Sequence, residues 1–317
     1  MPSPSRQILL LDGGSTFIRD CKDALSAPSP IPIPPELSCL WTSSYTVTRP
    51  DLVLQYHELF LRAGSDIVTT NTYQFPRQSD LGGADIDLSG AIATAVEMAL
   101  EAVRKVGREE IALSLGTRNA VNGVSGGEYA DYPAYSIDEY AAYQRGKLQE
   151  FHKATGGNWD KIGYLAFETL SSFEEAKAVL DALAVDEFSP WLENKKVWIS
   201  FSCGDGSVPR MEDILTRVLS LPTSEVLWGI GFNCMSASIA VQLARMLADH
   251  LRGRRLALVL YPDGSKSRVP HGYTDEDVLK WGQSLMEVQT LTEGDLLLGG
   301  CCHTDPRFIT ALSNFRH

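Results

Sequence analysis

The 317-residue chain is short of basic residues, with 28 Lys and Arg against 40 Asp and Glu and a formal net charge of −12. Nucleic acids and anionic membranes are held by basic surfaces, so the deficit excludes both as partners. Long apolar runs are missing too. Met1 to Arg6 is polar and followed almost at once by strand-like Ile8 to Leu11, so neither a secretory signal nor a membrane span is expected there. No Asn-X-Ser/Thr acceptor occurs, and six cysteines are too few for a disulfide scaffold at this length. A cytoplasmic protein is expected. Histidine is scarce and never forms an H-x-H pair at a strand end. His57, His152, His250, His271 and His317 fall in helices or loops and read as solvated, whereas His303 follows a cysteine pair.

What the chain does have is a repeated alternation. Strands are predicted at Gln7–Leu11, Asp66–Thr70, Ile111–Leu115, Ile162–Phe167, Lys196–Phe201, Leu227–Phe232, Leu256–Tyr261 and Asp295–Leu298. Amphipathic helices fall between them: one carries Leu52, Tyr56, Leu59, Phe60 and Ala63 on one face. Others span Leu88–Val106, Ile137–Ala154, Phe173–Leu183, Ser236–Leu251 and Asp275–Leu291, and Pro306 opens a short last helix. Strands alternating with helices imply a parallel sheet. Periodicity alone does not separate a closed barrel from an open doubly wound sheet. Eight evenly spaced β/α pairs without a composition break favour a (β/α)8 TIM barrel, one domain over residues 1–317. Two loops stand out. Ser26–Ser38 is proline-rich and reads as an extended surface excursion, and Asn119–Ser136 is rich in Gly and Tyr.

Barrel chemistry gathers at the C-terminal ends of the strands. Those positions hold Asp12, Thr70-Asn71-Thr72, Glu168-Thr169, Asn233-Cys234 and Gly300-Cys301-Cys302. Cys234, Cys301 and Cys302 can meet across the mouth as a soft, zinc-favouring set with one tetrahedral position open to a substrate. Taken singly, each cysteine reads equally as a small buried hydrophobe. A bridge within the adjacent pair is disfavoured, because neighbouring Cα atoms lie about 3.8 Å apart, below the disulfide range.

The segments LLLDGGS (9–15), LWT (40–42), AGSDIVTTNTYQ (63–74), FET (167–169), SFSCGDG (200–206), GIGFNC (229–234) and GGCC (299–302) resemble the homocysteine S-methyltransferase family across nearly the whole chain. The paired GFNC and GGCC motifs are the most specific part. The resemblance implies a barrel enzyme that binds Zn2+ through Cys234, Cys301 and Cys302 and methylates the sulfur of homocysteine to give methionine. A thiol coordinated to zinc is deprotonated and stays nucleophilic, which suits attack on an activated methyl group. The resemblance further implies that Glu168 holds the homocysteine ammonium, with Asp12 and the Gly13-Gly14 turn at the same end, the turn N–H groups facing a carboxylate. Asp12 and Glu168 read alternatively as helix caps, and Thr70 and Thr72 as substrate contacts or plain strand formers. Asn233 is expected to bind substrate or orient the site.

Trp41 and Tyr73 flank the rim, where aromatic faces attract a sulfonium or quaternary ammonium donor. The motif set points to a sulfonium, S-methylmethionine or S-adenosylmethionine; betaine as donor and a selenol acceptor are the alternatives. After strand 3 the chain reads SLGTRNAVNG where the family pattern has a Pro-Tyr-Gly turn, so Arg118 marks a departure on the donor side. Three other readings remain: a zinc hydrolase, a structural zinc closed by Cys203, and a cysteine redox sensor. The oligomeric expectation is a monomer or small homo-oligomer.

Overall fold

Runs such as Ile-Ala-Leu-Ser-Leu and Val-Trp-Ile-Ser-Phe are short and rich in branched and aromatic residues, and in the computed structural model they are strands. Residues 6–20, 25, 32–81, 85–121, 135–203, 207–264 and 273–316 are described. The strands are β1 (Ile8–Leu10), β2 (Ile67–Thr69), β3 (Glu110–Gly116), β4 (Tyr164–Leu170), β5 (Lys196–Phe201), β6 (Leu227–Ser236), β7 (Ala257–Asp263) and β8 (Leu296–Leu298). They form one parallel sheet in the order β1-β8-β7-β6-β5-β4-β3-β2. A parallel bridge between Leu11 and Ile67, with the Asp66 N–H donating to the Leu10 carbonyl at 2.7 Å, joins the two ends into a barrel. The fold is therefore the (β/α)8 barrel.

Side chains alternate across each strand. Leu11, Ile67, Ala112, Tyr164, Ala166, Trp198, Val259, Tyr261 and Leu297 fill the barrel interior. Leu10, Val68, Leu113, Leu165, Ile199, Phe232, Leu258 and Leu298 face outward, under the helices. Gly231 supplies the closest approach within the sheet: a Cβ there would lie 1.7 Å from the Val259 carbonyl oxygen on β7.

The helices are α1 (Thr16–Asp20), α2 (Ser44–Thr48), α3 (Pro50–Ala63), α4 (Leu88–Val106), α5 (Ile137–Thr155), α6 (Phe173–Leu183), α7 (Ser189–Leu192), α8 (Val208–Leu219), α9 (Ala237–Leu251), α10 (Asp275–Met286) and α11 (Pro306–Phe315). Their ends follow local chemistry. Ser136 and Thr274 open α5 and α10 through reciprocal capping boxes with Glu139 and Asp277, and α3 stops at Gly64, whose φ is 116°. None of the helices among the described residues is long and apolar enough to cross a membrane.

Two points differ from the sequence reading, and a third falls mostly outside the described residues. The sequence reading placed no helix at Val208–Leu219, although Met211, Ile214, Leu215 and Val218 make one buried face. The proline-rich excursion is not extended throughout: Pro35–Ser43 is 3-10 helical, while residues 26–31 lie outside the described residues. In the loop after β3, Asn119–Val121 is a 3-10 turn and residues 122–134 lie outside the description.

Candidate active site

At the C-terminal ends of the strands the barrel opens into a cavity of about 740 Å³, lined among others by Asp12, Gly13, Arg19, Trp41, Thr70, Tyr73, Glu168, Asn233, Cys234, Asp263, Cys301 and Cys302. The rim positions expected from sequence thus converge, with two exceptions. Thr72 turns away and donates to the Ser114 carbonyl at 2.7 Å. Arg118 is not among the lining residues; its guanidinium lies 3.7 Å from the Tyr135 ring centroid.

One end of the cavity is acidic. Asp12, 1% exposed, accepts the Thr69 N–H and hydroxyl, both at 2.9 Å, and the Tyr56 hydroxyl at 3.4 Å. Loss of water pushes its carboxyl up to about 8 against the pull of the Thr69 bonds, and the nearby Glu168 adds to the rise. Burial likewise raises Glu168 to about 7, although Ser114, Tyr261 and the cation of Lys147 favour its ionised form. The Ser114 hydroxyl donates to Glu168 Oε1. Lys147 is itself fully buried on α5, where its Nζ donates to the Gly116 carbonyl at 3.1 Å and burial lowers it to about 7.

His57 lies behind Asp12, with Nδ1 4.0 Å from Oδ2. It is wholly buried, neither ring nitrogen has a hydrogen-bond partner among the described residues, and burial lowers it to about 3. The expectation of a solvated histidine is therefore wrong at this position, because α3 turns that face onto the barrel end rather than outward. His271 and His317 lie outside the described residues.

The other end is sulfur-rich. Cys234 at the end of β6 and Cys301 after β8 bring their sulfurs into contact, with Cα atoms 5.5 Å apart, and Cys302 lies beside them. The three cysteines expected to meet across the mouth do gather at one place. The adjacent pair is unbridged, as its short Cα spacing predicts. Asp263 joins the group from β7, and the ligand atoms of Cys234, Asp263, Cys301 and Cys302 all lie within 4.8 Å of one another. Tetrahedral zinc with sulfur ligands at about 2.3 Å needs sulfurs about 3.8 Å apart, so the reduced trio fits such an ion. Cys203 is buried elsewhere and bonds the Ser207 carbonyl at 3.8 Å; Cys39 is also outside the group, and Cys21 lies outside the described residues.

In the glycine turn Gly13 lines the cavity, while Gly14 packs against the cysteine pair. The Gly14 N–H donates to the Cys301 carbonyl at 3.0 Å, and a Cβ on Gly14 would lie 2.5 Å from that oxygen. Its small size lets the β1 end pack against the cysteine pair, and its N–H is not turned to a ligand. At the mouth, the Arg19 guanidinium, paired with Asp20, lies 5.6 Å from the Trp41 ring centroid.

Asn233, fully buried, joins the two ends. Its Oδ1 accepts the Thr169 N–H at 3.0 Å and the Ser200 hydroxyl at 2.9 Å, and its Nδ2 donates to the Thr169 hydroxyl at 2.8 Å. Ser200 also bonds Tyr261, whose hydroxyl receives the Trp198 N–H at 3.4 Å. Among the described residues, five non-glycine residues have positive φ, and four of them, Trp41, Thr169, Cys234 and His303, line this cavity. Backbone strain of this kind concentrates at functional sites.

The sequence reading missed Tyr261 and Asp263. Its predicted strand stopped at Tyr261, before Pro262, and no rim residue was taken from the end of β7. Applying the strand-end rule there as well would have found Asp263.

Comparison with known proteins gives the geometry a context. A family profile described as "Homocysteine S-methyltransferase" matches residues 9–315. The chain is 29% identical over 302 residues to "Homocysteine S-methyltransferase 1" of Arabidopsis thaliana, covering 86% of each chain. It is also 29% identical over 305 residues to "Betaine-homocysteine S-methyltransferase" of Drosophila melanogaster, covering 87% of this chain and 86% of that one. The crystal structure of the homocysteine methyltransferase MmuM from Escherichia coli, metallated form, superposes with a TM-score of 0.71 at 23% identity, covering 98% of this chain and 96% of that one. At that identity the likeness establishes the fold.

Proposed function

Because this chain belongs to the homocysteine S-methyltransferase family, we propose that it transfers a methyl group from a small sulfonium donor to the sulfur of homocysteine, with zinc held by Cys234, Cys301 and Cys302. That it is a methyltransferase acting on homocysteine follows from the family and its relatives. The donor, the metal and the residue roles are our reading. The observation that carries it is the two-ended cavity: buried carboxyls of Asp12 and Glu168 at one end, and three cysteine sulfurs with Asp263 at the other.

Glu168, steadied by Ser114, takes the substrate ammonium, with Asp12 beside it. Binding an ammonium between two desolvated carboxyls favours their ionised forms and fixes the amino-acid end. The thiol then reaches the cysteine end, where bound zinc would keep it deprotonated and nucleophilic at neutral pH. Thr70 and Asn233 hold the rim between the two ends. Trp41 and Tyr73 line the side from which a cationic donor enters. The new bond joins the homocysteine sulfur to the methyl carbon, and the donor sulfur keeps the electron pair of the broken bond and leaves as a neutral thioether. Zinc held by cysteine thiolates requires those cysteines to be reduced, and a cytoplasmic site of action meets that requirement.

Betaine is the second reading, favoured by the name of the Drosophila relative at equal identity. Reduced, zinc-loaded protein incubated with homocysteine and each donor in turn decides between them. Methionine is expected from S-methylmethionine or S-adenosylmethionine. Turnover with betaine alone would overturn the donor assignment. Full zinc occupancy in Cys234→Ser would overturn the ligand set.

A further inference from the structure

Both ends of the cavity are built on the same backbone irregularity. Between Phe167 and Leu170, β4 advances three residues while its partner β5 advances two, from Ile199 to Phe201. Between Asn233 and Ser236, β6 advances three residues while β7 advances two, from Tyr261 to Asp263. Each strand therefore carries one extra residue at the rim. Such bulges are rare in parallel pairs and re-aim the side chains beside them. The first bulge contains Glu168 and Thr169, the second Cys234 and Met235. In each, one non-glycine residue takes the left-handed conformation: Thr169 at φ 64° and Cys234 at φ 54°.

A β-branched threonine does not hold that conformation unaided. The side chain that meets Thr169 at both its N–H and its hydroxyl is Asn233, the residue directly before Cys234. Ser200 on β5, the strand between the two bulges, donates to the same Oδ1 and fixes the amide orientation. The three hydrogen bonds span 2.8 to 3.0 Å and involve fully buried Asn233 and Ser200.

We propose that Asn233 is a positioning residue that clasps the two bulges together, so that the aim of Glu168 and the aim of Cys234 are set jointly. The inference rests on the reading of Glu168 as the ammonium anchor and Cys234 as a metal ligand. Its consequence is linkage: damage to the clasp weakens both ends, although Asn233 itself need touch neither ligand. Glycine is at home at positive φ, so a glycine at 169 should hold the β4 bulge without the clasp.

The test uses two probes on the reduced full-length protein. Methionine, which has the amino-acid end but no thiol, is titrated into metal-free protein, and Co2+ binding is followed by its thiolate absorption bands. Asn233→Ala should weaken methionine and Co2+ each by about tenfold, the scale expected when a buried hydrogen-bonding side chain is removed and its partners are left unpaired. Adding Thr169→Gly to Asn233→Ala should restore methionine binding to within about threefold of wild type, and leave Co2+ binding weak because Cys234 stays released. A merely structural role would lower the melting temperature and leave both affinities unchanged, and that result overturns the inference. So does failure of Thr169→Gly to rescue methionine. If Asn233→Ala does not fold, Ser200→Ala removes one hydrogen bond of the clasp and should weaken both probes about two- to threefold; unchanged affinities would again overturn it. Absence of methionine binding to the wild type would instead sink the functional reading itself.

Discussion

A carboxyl stripped of water holds its proton more tightly, and two such groups face the cavity, Asp12 raised to about 8 and Glu168 to about 7. An ammonium ligand needs them ionised. Methionine affinity should therefore rise severalfold from pH 6 to about 7.5, as Glu168 gives up its proton; methionine isolates the effect because it brings no thiol proton. Calorimetric titration across that range checks it, and Glu168→Gln should flatten the profile. A flat wild-type profile would remove Glu168 from the ammonium site. Without ligand the sign reverses: the folded chain keeps protons that the unfolded chain releases, so these carboxyls lower stability as pH rises from about 4 towards 8. Cys234, Cys301, Cys302, Asp12 and Glu168 were legible in the sequence because barrel rims collect chemistry and strand ends can be counted. His57 was not. Its burial depends on which way α3 faces the end of β1, and a lone histidine in an amphipathic segment carries no mark of that.

Strands and helices were mostly legible, because alternation and amphipathic spacing are local signals. Leu88–Val106 and Phe173–Leu183 form over the predicted residues, whereas α8 was passed over and Pro35–Ser43 coils into 3-10 turns, opened by Pro35 and kinked at Trp41. The two bulges had no such signal. They place threonine and cysteine in a conformation that neither prefers, and only interactions from a neighbouring strand explain it. Gly231 is the opposite case, a residue whose size the sheet dictates. Gly231→Ala would drive a Cβ to 1.7 Å from the Val259 carbonyl oxygen, where backbone on both β6 and β7 would have to move. A loss of about 3 kcal/mol is expected, at the upper end for overpacking. Urea unfolding measures it, and a loss below about 1 kcal/mol, the lower end of that range, would show that the β6–β7 ladder can widen.

The barrel closes at a seam that is lighter in ladder pairing than the rest of the sheet. Between β1 and β2 the sheet closes, among the described residues, through the Leu11–Ile67 bridge, and side chains reinforce it: Asp66 accepts the Leu10 N–H and Asp12 the Thr69 N–H, both at 2.9 Å. Arg316, after α11, bonds the Asp66 carboxylate and reaches the Ile8 carbonyl at 3.4 Å. Both partners of this ion pair are largely shielded, with side chains 20% and 18% exposed. Arg316→Ala should cost about 1–2 kcal/mol, between an exposed and a buried pair, and amide hydrogen exchange should quicken first at Leu10, Leu11 and Asp66. Uniform acceleration around the barrel would mean that the seam is no weaker than the rest. The packed barrel interior closes the floor below the cavity: Tyr164 meets Trp228 edge to face and Trp198 tilts against both, with Lys196 Nζ 5.1 Å from the Trp228 ring centroid. A closed floor makes the cavity a cul-de-sac, so both substrates arrive and both products depart through one doorway. Methionine lingering at the inner, acidic end would block the next homocysteine, and steady-state kinetics should show it as a competitive product inhibitor against homocysteine.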